Sequence, residues 1–494
     1  MEIKNEKKKE GQGKMTDLFH QTTGAGPAGV ATAFTLSRIA AKKGLEVNIT
    51  VFEQNHAVGG RMVLDSYFEH DSVLPVKIHV EDVASGNLLR NRVLAARAGE
   101  YFGGGFGDKD GVEVGVVKVG FWDGEKMVSD RTRPIDKMSW IEWLGLVLRY
   151  GTSVWSAKKL PDGTMERYMK MLDSGKKDVV SSIDKWLKGK EMGGAVAMSA
   201  SERLKLNGVN KVYVDEVLGP QLMRQFGQGA NELSDLAMSM ALQREEMGVQ
   251  VDGVGGRLDK TLLQFLNESA ANIRINTRIN RLRRRPSEDG NPVWILEYQN
   301  TREEDLAHDA FDKVVLAGPW STSEFLGEET EQEQVAYRSL WITFVVSSRE
   351  LDSNFFGGST PMPRQILQIP SIKRPRELEG THEISHVRDI FGPDVSTQSV
   401  QYLYRILSDR KITNETLSFF GKGILVIQER IENAYPLLYP RSEGLGNFEV
   451  QEGLWHTSVV EAIGSQVDLS WVAGENVARL VAKGIEDEHT GRGR

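Results

Sequence analysis

Gly24-Ala25-Gly26-Pro27-Ala28-Gly29 is the arrangement best suited to chemistry in this chain of 494 residues. Its GxGxxG spacing matches what a dinucleotide needs: Gly24 for a tight turn, Gly26 so that a pyrophosphate can approach the backbone, and Gly29 so that the next helix sits close to a sheet. Amides left open at the start of that helix would then meet phosphate oxygens. The alternative is a structural glycine turn, and in a chain with 50 glycines the neighbours decide between them. Residues 30–43 place Ala33, Leu36 and Ala40 on one face, which predicts a helix ended by Gly44. Residues 46–53 alternate Val47, Ile49 and Val51 with smaller or polar residues and close on Glu53, 24 residues after Gly29. An acid at about that interval accepts from a ribose hydroxyl in dinucleotide-binding units. The stretch Thr16–Thr23 must supply the first strand and is unusually polar, with Leu18 and Phe19 its only large apolar residues.

Just beyond the acid, Gln54 leads to Gly59-Gly60-Arg61. A second glycine pair suits a second backbone pass across the pyrophosphate, and Arg61 is placed to neutralise a phosphate. The alternative for Arg61 is a surface side chain after a glycine turn. By analogy with oxidoreductases that carry two dinucleotide-binding motifs, this element favours FAD over NAD.

Other elements must position this unit. Helical patterns dominate residues 132–245, at 138–151, 164–173 and 231–246. Their Met, Trp and Leu residues serve either as core or as the lining of an apolar cavity. Gly253-Val254-Gly255-Gly256-Arg257 precedes another helical stretch. The alternating run Ile273–Leu282, then Pro292–Asn300 and Phe311–Ala317, predict strands completing the nucleotide-binding sheet, the last running into Gly318. Strand patterns at 341–348, 401–406 and 424–429 predict a sheet on the substrate side, whereas 66–131 is irregular apart from a strand at 112–119 and a glycine loop, Gly103–Gly107. Near the end, Leu454–Ser458, Glu461 and Asp468 lead into a helix over 472–485, whose positive N-terminus favours negative charge.

The fold class expected is therefore α/β, an FAD-binding Rossmann-like domain with two dinucleotide-binding motifs assembled from discontinuous segments, plus a mixed helical and β-sheet substrate domain. The nucleotide-binding segments are 16–65, 246–320 and 446–486, and the substrate segments 132–245 and 321–445. The stretch 66–131 is divergent, and tails cover 1–15 and 487–494.

These residues resemble the FAD-dependent prenylcysteine oxidase, or prenylcysteine lyase, family, in a divergent fungal-type form. The resemblance is carried by Gly24–Gly29, Glu53, Gly59-Gly60-Arg61, Glu113-Val114-Gly115, Phe226-Gly227-Gln228, Gly255-Gly256, Tyr435-Pro436 and Tyr439-Pro440. It is clearest at the end, in Trp455-His456-Thr457-Ser458, Glu461, Asp468-Leu469-Ser470 and Asn476–Leu480. Asp468 stands where the family tends to have glutamate. The resemblance implies hydride transfer to flavin from the carbon beside sulfur in a prenyl thioether. Water addition then gives a prenyl aldehyde and a thiol, and O2 reoxidises the flavin to give hydrogen peroxide. The alternative is another oxidation or oxidative cyclisation of an apolar substrate in specialised metabolism. Expected cofactor contacts are Gly24, Gly26, Pro27, Ala28, Gly29, Glu53, Gln54, Gly59, Gly60, Arg61, Ile279, Gly318, Glu461, Asp468 and Leu469. Glu461 is the first candidate for ordering water or cationic charge, or else for bonding the flavin, and His456 is a candidate proton shuttle or a packed histidine.

Composition removes other classes. There is no cysteine, which excludes disulfides, thiolate nucleophiles and cysteine-ligated metal. A net charge of −8 disfavours a nucleic-acid groove. No run of about 20 apolar residues is present to span a bilayer. The visible N-terminus predicts a soluble, cytoplasmic protein, or a secretory or vacuolar one if the natural start carries a signal. The N-X-S/T triplets at Asn48, Asn267 and Asn414 carry no weight alone. His382-Glu383-Ile384-Ser385-His386 matches H-E-x-x-H, but its flanks predict no long helix and no third ligand stands nearby, so no metal is expected.

Overall fold

The computed structural model describes residues 18–63, 92–102, 119–131, 140–175, 178–246, 258–286, 292–302, 306–319, 335–358, 362–370, 378–391 and 400–489. Residues 1–15, the loop 103–107, the segments 112–118 and 253–257, and 490–494 of the C-terminal tail lie outside them.

Sequence polarity does not prevent the first strand from forming, because a central strand is held by its backbone ladder on both sides. β1 (Leu18–Thr23) pairs in parallel with β2 (Val47–Phe52) and with β9 (Lys313–Leu316), and Thr23 lies opposite both Phe52 and Leu316. The three strands therefore end level. A six-stranded sheet forms around them in the order β15-β16-β9-β1-β2-β5, with β5 at Asn272–Arg274, β15 at Glu449–Gln451 and β16 at Leu454–His456. All of its pairings are parallel except β15 with β16.

The alternating run expected as one strand is divided. Asn276 takes a left-handed backbone, φ 51°, and its N–H donates to Asn55 O at 3.0 Å. That turn ends β5 and sends β6 (Thr277–Pro286) into a separate antiparallel sheet with β7 (Pro292–Asn300) and β8 (Leu306–Phe311). Of the runs expected to complete the nucleotide sheet, β5 and β9 do so, and β6 and β7 do not.

Among the described residues the third sheet has seven strands in the order β14-β10-β13-β12-β11-β3-β4. It comprises β3 (Val119–Trp122), β4 (Met127–Arg131), β10 (Tyr337–Ser347), β11 (Gln365–Gln368), β12 (Thr381–Phe391), β13 (Val400–Ser408) and β14 (Leu425–Pro436). It contains the three strands expected on the substrate side. The H-E-x-x-H match lies on β12, where His382 bonds Asp409 at 2.8 Å and Glu383 bonds Arg405 at 2.5 Å. Burial alone would raise the Glu383 carboxyl, but Arg405, Arg224 and the Ser385 hydroxyl together hold it below the usual carboxylate range. Glu383 is thus a structural anion within the sheet.

Helix α1 (Pro27–Lys43) follows the glycine turn. Pro27 has its φ preset for the first helical position, and Gly44 ends the helix at φ 66° with its N–H on Ala40 O. Its buried face, including Ala28, Val30, Ala31 and Phe34, is mostly small, which permits close helix packing. Arg92–Phe102 forms helix α2 inside the stretch read as irregular. The helical block contains α3 (Trp140–Tyr150), α4 (Ser153–Ser174) and α5 (Asp235–Glu246), and α6 (Leu258–Glu268) buries Leu262 and Phe265 beside α1. The last helix, α7 (Val467–His489), starts five residues before the expected 472 and runs past the expected 485. It crosses α1 at Gly474, where an added Cβ would stand 2.2 Å from Ala28 O. The Thr32 hydroxyl donates to Gly474 O at 3.3 Å across that contact.

Candidate functional site

Where β1, β2 and β9 end together, the chain leaves a cleft of about 780 Å³. Ligands of open parallel α/β sheets bind at this edge, beyond the carboxyl ends of the strands. Gly24 follows β1, Glu53 follows β2, and Ala317 and Gly318 follow β9; all four line the cleft.

The two glycine turns form its floor. Gly24 has φ 102° and its N–H donates to Phe52 O at 2.7 Å. The Gly59 N–H donates to Ala25 O at 3.1 Å, tying the second turn to the first. Gly60 has φ 61°, and a Cβ on it would stand 3.2 Å from the Gly26 Cα. Side chains at Gly26 and Gly60 would push the two turns apart, so the glycines let the turns lie against each other at the floor of the cleft.

Glu53 is buried and uses both oxygens. Oε2 accepts from the Ala25 N–H at 2.6 Å and Oε1 from the Asn55 N–H at 2.9 Å. One acid therefore fixes the glycine turn and the second crossing together. Pro27, Ala28, Gln54, Gly60, Arg61, Ile279, Gly318 and Glu461 also line it.

Arg61 and Glu461 form an ion pair, and the other end of the guanidinium, Nη1, donates to Asn433 O at 2.8 Å. The guanidinium also lies over the Tyr337 ring, 5.9 Å from its centre. Tyr337 donates to Glu461 Oε2 at 2.6 Å. Three distant segments thereby meet at one carboxylate that is 97% shielded, its side chain only 3% exposed.

Four of the expected cofactor contacts, and the candidate proton shuttle His456, do not line the cleft. Gly29 and Leu469 are buried in α1 and α7, and Gly59 acts through its bond to Ala25. Asp468 lies in the first turn of α7 and accepts from the Val93 and Leu94 N–H groups at 3.1 Å each, capping α2. His456 is buried beneath the site, with Nε2 3.0 Å from Gly318 O. Burial pushes its imidazole down to about 4, partly opposed by the Gly318 bond and by Glu461. It stands as a neutral donor to the turn after β9.

Sequence reasoning missed most of the opposite wall. Thr277, Arg278 and Asn280 on β6, Arg430 and Asn433 on β14, and Ser458 and Ser470 near the C-terminus all face the cleft. Only Ser458 and Ser470 had a local signal, as small polar residues flanking Glu461 and the start of α7.

A glycine-rich βαβ unit, an acid after its second strand and a cleft at the strand ends define an α/β fold of the dinucleotide-binding type. A redesigned putrescine oxidase shares the fold, with a TM-score of 0.52 at 14% identity, covering 94% of this chain and 99% of that one. The chain belongs to the prenylcysteine lyase family, whose family model matches residues 135–491. It is 23% identical over 484 residues to prenylcysteine oxidase 1-like of Bos taurus, covering 92% of this chain and 89% of that protein. It is also 23% identical over 486 residues to farnesylcysteine lyase of Arabidopsis thaliana, covering 93% and 87% respectively. Among the described residues no helix is long and apolar enough to cross a membrane.

Proposed function

We propose that this protein is an FAD-dependent oxidase that cleaves a prenyl thioether of the prenylcysteine type, converting the thioether, O2 and water into a prenyl aldehyde, a thiol and hydrogen peroxide. The observation that carries this reading is the Gly26–Gly60 floor and the Glu461–Arg61–Tyr337 cluster on one cleft, in a chain of this family. The cleft residues fit FAD: two glycine turns free of side chains, the open N-terminus of α1, and an acid already locked in place. When bound, FAD supplies the two-electron acceptor for the carbon attached to sulfur.

The chain's own groups have separate tasks. Backbone amides at Gly26 and Ala28 bind the pyrophosphate, Gly60 leaves it room, and the Glu53 carboxylate, at the end of β2, takes the ribose side. Gln54, Ile279 and Gly318 complete the cofactor's walls. Glu461, held by Tyr337 and Arg61, orients water at the reacting carbon and takes up its proton. Neutral His456 acts as a positioning residue by fixing the Gly318 carbonyl. Gly29, Leu469 and Asp468 act indirectly, by setting α1 and α7 against the sheet and α2.

The test is anaerobic addition of farnesylcysteine to FAD-loaded protein. Bleaching of the visible flavin absorption, with peroxide formed on readmitting air, is expected. A loaded flavin that stays oxidised would discard this substrate class, and failure to load FAD would discard the cofactor.

A further inference from the structure

Behind the nucleotide cleft, on the far side of α1 and α7, lies a second recess of about 690 Å³, within the range of small-molecule sites. Tyr101 is exposed on its lining, with the buried rings of Phe34 and Trp471 behind it and Phe265 packed beneath them. Phe34 meets Tyr101 edge to face at 4.9 Å, and Phe265, which packs on Phe34 at 4.9 Å, lies 4.7 Å from Trp471. Four cations of the described residues line the recess, Arg38, Lys42, Arg97 and Arg479, against two carboxylates, Glu100 and Glu475.

The buried part of this charge is committed. Glu475 takes a two-point contact from Arg97, at 2.6 and 3.0 Å, a bond from Trp471 Nε1 at 3.1 Å and one from Arg479 at 3.4 Å. Arg38 and Lys42 are different. Arg38 lies over the Tyr101 ring at 5.3 Å, and among the described residues neither cation has a carboxylate partner. The next residue, Lys43, by contrast pairs with Glu486. A rim on which Arg38 and Lys42 outnumber Glu100, beside the exposed Tyr101 ring, selects a particular chemistry: a negative head bound at the rim and an apolar body laid against Tyr101.

We infer that the recess between α1, α2 and α7 is a second ligand site, for a soluble anionic amphiphile with a phosphate-like or carboxylate head and an apolar tail. It is walled off from the nucleotide cleft yet built from the same two helices. Pro27 and Ala28 face the cleft while Phe34 and Arg38 face the recess, and on α7 the neighbours Ser470 and Trp471 divide in the same way.

Calorimetric titration of the FAD-loaded protein with octyl phosphate tests this, with inorganic phosphate and octanol as head-only and tail-only probes. Saturable binding of octyl phosphate is expected, at least tenfold tighter than either half. Combining Arg38→Glu with Lys42→Glu should weaken it tenfold or more, Arg38→Lys should retain most of it, and flavin content and melting temperature should hold in both. Absence of saturable binding, an affinity unmoved by the double substitution, equal binding of inorganic phosphate, or binding only to phosphatidic acid vesicles would each overturn the inference.

Discussion

The Tyr337 hydroxyl donates a 2.6 Å hydrogen bond to Glu461, and through it the seven-stranded sheet holds the C-terminal segment of the nucleotide-binding sheet. The same carboxylate is ion-paired to Arg61 in the N-terminal segment. A substrate laid against the sheet and a cofactor laid across the glycine turns would both be registered at this point.

Tyr337→Phe removes one donor and leaves the ring beneath Arg61. Hydrogen bonds to charged groups contribute about 1.5–3 kcal/mol, so kcat/KM for farnesylcysteine should fall roughly ten- to a hundredfold. Flavin content should be unchanged. Steady-state kinetics check this, and wild-type kcat/KM in the variant would remove Glu461 positioning from the proposed mechanism.

Glu53→Gln turns one of the two carboxylate oxygens into an amide N–H₂, so one of the two backbone N–H groups that now find acceptors there loses its partner. At about 1–3 kcal/mol for an unsatisfied buried donor, FAD affinity should drop roughly tenfold or more. Fluorescence titration of the apoprotein with FAD measures it. Unaltered affinity would mean that the acid serves only the fold.

Gly474→Ala tests the helix crossing. Its methyl would stand 2.2 Å from Ala28 O and 2.8 Å from Ala31 Cβ, so α7 must move off α1. Overpacking of this kind costs about 1–3 kcal/mol and sometimes more, read as a lower denaturant midpoint. Retained stability would show that the two helices can separate freely.

His456 sets a pH dependence of stability. Its folded value of about 4 lies below its ordinary 6.5, so between these the unfolded chain binds more protons. The stabilisation is therefore complete above pH 6.5 and is lost as pH falls towards 4, by roughly 3 kcal/mol. Melting curves of His456→Gln should be flatter than wild type over that window; equal slopes would assign the dependence to other groups.

Much of the nucleotide half was legible from sequence because its signals are local. Glycine spacing, a helix of small residues and an alternating strand ending in Glu53 all fall within about 40 residues, and the structure brings them together. The opposite wall was not legible, because nothing in the spacing of residues 61 and 461 announces that they meet. Asn276 looked like one more residue in an alternating run, and its left-handed turn appears only when Asn55 supplies the acceptor. Helix α2 was hidden in a different way. RVLAARAGEYF contains good helix formers, but its cap comes from Asp468, far away in sequence.

The central sheet takes strands from residues 18–52, 272–274, 313–316 and 449–456, and α1 is covered by α7 at the other end of the chain. On the ribosome, the glycine turns emerge early and must wait for nearly the whole polypeptide before their sheet can close. Contacts of such sequence separation form slowly, because the intervening chain must be ordered first. A chain truncated before α7 should accordingly leave the ribosome with the cleft incomplete, since Ser470 of α7 lines it and α7 packs on α1.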